Sequence, residues 1–171
     1  MTLFWHTPLC LAPRALRPWL TERASLTLRL QRSFGSIRVQ VVTEKPAPLH
    51  RDELAVLRPQ RGKTLHHSRD VLLLAANQAL VFAHSVASRD AIRHGFRMLG
   101  RIGTQPLGAA LFADPQIQRG PLSWKHIDRR DPLWQKAEAI AGPLPTRLWA
   151  RRSTFTRGRA RLLVTEVFLN F

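Results

Sequence analysis

Two apolar runs at residues 71–74 and 79–86 stand either side of Ala75-Ala76-Asn77-Gln78. Each run is too short for a useful helix. The four residues between them suit a tight turn in which Asn77 takes a positive φ, so the pair predicts a β-hairpin. A second hairpin is predicted near the end of the chain, with strands over 147–155 and 162–169 and a turn around Gly158. Ile37-Arg38-Val39-Gln40-Val41 alternates apolar and polar residues strictly, the period of a strand with one buried face. Hairpins and alternating strands commit the chain to an antiparallel sheet, and the remaining segments have to cover it.

Those segments read mostly as helices. Trp19-Leu20 and residues 25–32 show helical turns, with Ser25 as N-cap and Gly35 as the stop. A short helix is expected at 52–57, inside a crossing from Glu44 to Leu65 that Pro46, Pro48 and Pro59 make irregular. Ser88 caps a helix expected over 89–99 and ended by Gly100, and Pro106-Leu107-Gly108 leads into a short helix or turn at 109–112. A strand is expected at 122–127. Asp131-Pro132 joins an N-cap to a proline at the first helical position and opens a helix to about Ile140, stopped by Gly142-Pro143-Leu144-Pro145. With no internal repeat or linker, residues 1–171 read as a single α+β domain, an antiparallel sheet flanked by helices.

Composition narrows the function classes. Hydrophobic residues make up 44% of the chain, enough for a core and too many for a disordered basic tail. Lys plus Arg is 27 against 11 Asp plus Glu, a net charge of +16. The basic residues run from Arg14 to Arg161 without a long block, and nearly all are arginine. A coding bias towards arginine gives the same picture as a surface for anions, and small anionic substrates suit it. An RNA-binding module is supported by charge alone: tyrosine is absent and most phenylalanines lie in apolar runs, leaving no aromatic platform, so no specific nucleic acid is expected. A single cysteine, Cys10, excludes a disulfide framework and a multi-cysteine zinc site and fits a reducing compartment. No segment reaches the ~20 apolar residues that span a bilayer. The apolar start, broken by His6 and Pro8, lacks the charged leading region of a secretory signal. A cytoplasmic protein without membrane insertion is expected.

Two charged residues stand out on apolar strand faces. In the last strand, alternation puts Glu166 on one face with Leu162, Val164 and Phe168. A carboxylate there costs several kcal/mol unless a cation or donors meet it. In Ser68-Arg69-Asp70-Val71-Leu72-Leu73, Arg69 shares a face with Val71 and Leu73. Arg69 can pair with Glu166 in the core or take a substrate carboxylate with its planar fork. Together they make a pocket for a small, flat, anionic ligand. Arg151-Arg152 beside Trp149, and Arg157, Arg159 and Arg161 around the turn, offer phosphate contacts, though solvated arginines on a hairpin are the commoner outcome. His66 and His67 are neighbours on a strand and point to opposite faces, and His50, His84, His94 and His126 show no ligand spacing, so no metal site is read here.

The ending Leu148-Trp149-Ala150-Arg151-Arg152-Ser153-Thr154-Phe155, followed by Leu162-Leu163-Val164-Thr165-Glu166-Val167-Phe168-Leu169, closely resembles the C-terminal hairpin of bacterial chorismate pyruvate-lyases, enzymes that make 4-hydroxybenzoate for ubiquinone. Three upstream segments agree in order and approximate spacing: Trp19-Leu20 with Ala24-Ser25-Leu26-Thr27, Ser68-Arg69-Asp70-Val71-Leu72-Leu73, and Leu99-Gly100 with Pro106-Leu107-Gly108. The resemblance implies helices closing over a buried site, a carbon-oxygen lyase that releases pyruvate from chorismate, and no metal or organic cofactor. It implies that Arg69 binds the ring carboxylate, that Glu166 is the catalytic glutamate, and that Leu26 and Leu107 contact the ligand. A monomer is expected.

Two departures accompany the resemblance. The family often has arginine where this chain reads Ala83-His84-Ser85-Val86, so a basic contact near the ligand entrance is expected to be weaker or pH-dependent. The chain stops five residues after Glu166 (171 − 166 = 5), where relatives commonly continue through a proline-containing tail. In the expected mechanism Arg69 anchors the ring carboxylate and Glu166 acts as general acid on the departing enolpyruvyl group, its protonated form favoured by apolar neighbours. The rival is a non-enzymatic effector-binding domain, since a related fold forms the ligand-sensing half of some bacterial transcription regulators. Such a regulator would carry a helix-turn-helix domain in the same chain, for which this length leaves no room.

Overall fold

The computed structural model describes residues 5–58 and 65–171, so Pro59 of the proline-rich crossing and Leu3-Phe4 at the start lie outside the described residues. The described elements are α1 (Arg17–Leu20), α2 (Leu26–Phe34), β1 (Ile37–Ala47), α3 (Arg51–Leu57), β2 (His66–Ala75), β3 (Gln78–Ala87), α4 (Arg89–His94), α5 (Leu107–Ala113), β4 (Gln118–Arg119), β5 (Ser123–Asp128), α6 (Pro132–Ala141), β6 (Arg147–Arg157) and β7 (Ala160–Phe168). Short 3₁₀ turns lie at Leu9–Leu11 and Arg97–Arg101.

All pairings between these strands are antiparallel, in the order β1-β2-β3-β7-β6, and the far edge of β6 is shared by β4 and β5. The β2–β3 turn is the predicted one: Ala76 and Asn77 both have positive φ, 45° and 67°, the hand that matches strand twist in a two-residue hairpin. β1 runs six residues beyond the strictly alternating stretch (47 − 41 = 6) and includes Pro46. That is tolerated because β1 is an edge strand.

Helix ends follow the sequence in most places. The Ser25 hydroxyl accepts from Leu28 N, Gly35 ends α2 at φ 78°, and Asp131 accepts from Leu133 N at the start of α6. The helix expected over 89–99 breaks earlier. It stops at Gly95, where a Cβ would lie 2.3 Å from Ala160 Cβ, and resumes as a 3₁₀ turn. Close approach of β7 therefore fixes a glycine at a point where side-chain periodicity alone favours continuation.

The sheet separates two cores. On one face Val71, Leu73, Val81, Trp149 and Phe168 pack under Leu20, Leu26 and Leu30 of α1 and α2, while Phe155 and Leu162 meet Ala91, Phe96, Leu99 and Leu111. On the other, Leu72, Leu74, Phe82, Ala150 and Val167 pack under Leu133, Trp134 and Ala137 of α6. The chain's end closes on the first core, with Phe171 against Trp19, Phe34 and Phe168. No helix among the described residues is long and apolar enough to cross a membrane.

Candidate active site

A pocket opens between the first sheet face and the helices over it. Its floor is Val39, Val71, Leu73, Ala83 and Val164, and its roof is Leu26 and Thr27 of α2 with Leu107, Leu111 and Phe112 of α5. The two roof helices meet tightly: a Cβ on Gly108 would lie 2.9 Å from Ser25 Oγ. Four charged side chains enter this lining, Arg69, Arg119, Arg151 and Glu166, with Thr27, Ser85 and Ser153 its other polar side chains.

All four expected site residues, Glu166, Arg69, Leu26 and Leu107, line the same pocket. The alternation argument holds for Glu166, which sits on the pocket face of β7. Its partner, however, is not Arg69. Glu166 Oε2 accepts from Arg151 Nε at 2.6 Å, because Arg151 is directly opposite it in the β6–β7 register. Arg151 is 0% exposed, so the expectation of a solvated arginine at this position fails. Its Nη1 donates to the carbonyls of Trp19 (2.6 Å) and Glu22 (2.9 Å), and its Nη2 has no hydrogen-bond partner among the described residues.

Arg69 is buried on β2 and donates through Nη2 to the Gly103 carbonyl at 2.6 Å. Its Nε lies 3.5 Å from Glu44 at the sheet edge without forming a hydrogen bond. Burial pushes the Arg69 guanidinium below its ordinary value, with Glu44 opposing. Arg151 thus keeps a buried N–H group without a partner, and Arg69 Nε has only a long ion pair with the half-exposed Glu44. An unmet buried donor is costly, and an anionic ligand removes that cost.

Arg119 completes the set. Placed by the two-residue β4, it donates through Nε to Ser153 Oγ at 2.8 Å and through Nη1 to the Arg23 carbonyl at 3.0 Å. It lies over the rings of Phe112 and Phe155. Burial, reinforced by the positive charge of Arg151, brings its pKa down to about 10. No periodic pattern surrounds Arg119 in the sequence, which reads Gln116-Ile117-Gln118-Arg119-Gly120-Pro121, and nothing there marks it. Arg151 was findable. Trp149, Arg151, Ser153 and Phe155 alternate on one face just as the residues around Glu166 do.

His84 does not line the pocket. It faces the opposite side of the sheet, where its Nδ1 lies 2.5 Å from Asp70 Oδ1, so the expected weaker or pH-dependent contact at the ligand entrance is not made. Cys10 is free and exposed.

Fold and site together define a class: an antiparallel α+β domain with a pocket against its sheet that three guanidiniums and one carboxylate line. The profile of the chorismate lyase family matches residues 3–171, and the chain belongs to that family. It is 47% identical over 160 residues to a probable chorismate pyruvate-lyase of Aromatoleum aromaticum, covering 92% of this chain and 85% of the relative. It is 44% identical over 158 residues to one from Thiobacillus denitrificans, covering 92% and 84%. Among solved structures, the ligand-binding domain of a putative GntR-family transcriptional regulator from Bordetella bronchiseptica has the same fold, with a TM-score of 0.57, 10% identity, and coverage of 80% of this chain and 84% of that one.

Proposed function

We propose that the chain is a chorismate pyruvate-lyase that converts chorismate into 4-hydroxybenzoate and pyruvate, supplying ubiquinone biosynthesis from the cytoplasm as a monomer, with residues 1–171 acting as one domain. The observation that carries this reading is the charge of the pocket lining, three guanidiniums against one carboxylate. Chorismate brings one carboxylate on the ring and one on the enolpyruvyl ether. A dianion neutralises a surplus of two cations. Arg69 takes the ring carboxylate, and Arg119 takes the enolpyruvyl carboxylate. Leu26 and Leu107 hold the ring between them as apolar roof contacts.

In the reaction, the bond between the ring carbon and the ether oxygen breaks, and the adjacent hydroxyl-bearing carbon loses its hydrogen. The ring becomes aromatic, and the enolpyruvyl group takes up a proton to become pyruvate. Aromatisation supplies driving force, so orientation and proton handling are what the protein adds. The pairing of Glu166 with Arg151 alters its expected role. An ion-paired carboxylate is an acceptor, so Glu166 accepts the ring proton or the hydroxyl hydrogen bond rather than acting first as the acid. It is the one carboxylate that lines the pocket among the described residues. The test is to mix purified protein with chorismate and follow 4-hydroxybenzoate by ultraviolet absorbance. Many product molecules per protein are expected. Stoichiometric binding without product would instead favour an effector-binding domain, the reading that the regulator-like fold supports.

A further inference from the structure

On the face of the sheet away from the pocket, three potential metal ligands converge. Glu53 comes from α3, His84 from β3, and His50 from the residue just before α3. His84 Nε2 lies 3.0 Å from Glu53 Oε1, and His50 Nδ1 lies 3.6 Å from the same oxygen. The three ligand atoms fall within 4.8 Å of one another. A tetrahedral ion with bonds of about 2.0–2.1 Å holds its ligand atoms roughly 3.3 Å apart. We propose that His50, Glu53 and His84 bind one divalent transition-metal ion, with zinc the best match.

Three further observations bear on this site. Glu53 Oε1 and His84 Nε2 are both buried and form an ion pair at 3.0 Å, and neither atom makes a hydrogen bond elsewhere among the described residues. His84 Nδ1 is engaged by Asp70 Oδ1 at 2.5 Å, which leaves Nε2 for the ion. This is the carboxylate–histidine–metal arrangement that orients ligating imidazoles. Asp70 is in turn met by Lys136 at 3.4 Å, and Glu53 Oε2 accepts from His50 N at 2.8 Å, so the supporting groups are themselves held. Two imidazoles with one carboxylate suit zinc better than magnesium or calcium, which prefer all-oxygen sites. His50 is the one member with appreciable exposure and provides the way in.

The ion would fasten α3 to β3. Asp70 and His84 are opposite each other in the β2–β3 register, and their chain neighbours Arg69 and Ser85 both line the pocket on the other face. The role is structural, a clamp behind the strand that presents Arg69, and the pocket chemistry does not use it. The competing occupant is a proton. Burial disfavours a charged His84, but the carboxylates of Asp70 and Glu53 on either side outweigh it and raise the imidazole above its ordinary value.

The test uses the full chain, stripped with a chelator, dialysed, and titrated with zinc chloride by calorimetry at mildly alkaline pH. One equivalent should bind, and the melting temperature should rise with zinc. Asp70→Asn, which removes the outer support, should weaken binding about 10- to 100-fold. His50→Ala removes a ligand from the least buried position and should weaken it at least as much while the protein stays folded. His84→Arg places a fixed cation between Asp70 and Glu53, keeps the fold, and should abolish both the binding and the thermal shift. Absence of a saturable equivalent in the wild-type chain would overturn the proposal, as would undiminished binding in His84→Arg.

Discussion

The two faces of the sheet both bury charge among apolar side chains, and they balance it differently. On the back face each of three aspartates has a cation supplied by the chain: Asp131 with Lys125 at 2.8 Å, Asp52 with Arg152 at 3.1 Å, and Asp70 with Lys136 at 3.4 Å. On the pocket face, Arg69, Arg119 and Arg151 share a lining with Glu166 alone, and Glu44 reaches Arg69 only from the solvent edge. The difference teaches how to read a buried charge. Where the fold supplies the counterpart, the charge ties elements together. Where cations outnumber carboxylates around a cavity, the missing counterpart is a ligand.

The largest effect should come from the one pocket carboxylate. Glu166→Gln keeps the shape but cannot accept a proton, so turnover of chorismate should fall about 10²- to 10⁴-fold. Thermal unfolding of the same variant sharpens the comparison, because loss of the Arg151 partner alone would lower the melting temperature and leave turnover near normal. That second pattern would move Glu166 into the same class as the back-face pairs.

A back-face substitution should do the reverse. Lys125→Met leaves Asp131 without its cation in a mostly buried site, at a cost of roughly 3–5 kcal/mol in chemical denaturation, while the KM for chorismate stays unchanged. A raised KM with intact stability would erase the distinction between the faces. Arg69→Ala should have a smaller effect, confined to binding. Loss of a charge-assisted contact worth about 1.5–3 kcal/mol raises KM about 10- to 150-fold. An unchanged KM would remove Arg69 from the substrate site.

Much of the fold is legible because strands and caps are local. The alternation of 37–41, the turn at Asn77 and the Asp131-Pro132 start all reappear where the residues put them. The break at Gly95 is not local, since it depends on how closely Ala160 of β7 approaches. The same divide runs through the site. Glu166 and Arg69 are visible as charges out of place on apolar faces. Which arginine meets Glu166 depends on the β6–β7 register, and that turns on the hairpin geometry rather than on any single residue. Arg119 becomes visible only when a two-residue strand docks it on β6, and His84 faces Asp70 because the β2–β3 register makes them neighbours.

The central claim, that two surplus cations serve two carboxylates, is tested most directly by Arg119→Gln measured against two ligands. Chorismate carries both carboxylates, whereas 4-hydroxybenzoate carries only the ring carboxylate, which the proposal assigns to Arg69. The KM for chorismate should rise about 10-fold or more, and the Kd of 4-hydroxybenzoate, measured by calorimetry on the same preparation, should change little. Equal losses for both ligands, or none for chorismate, would contradict the account.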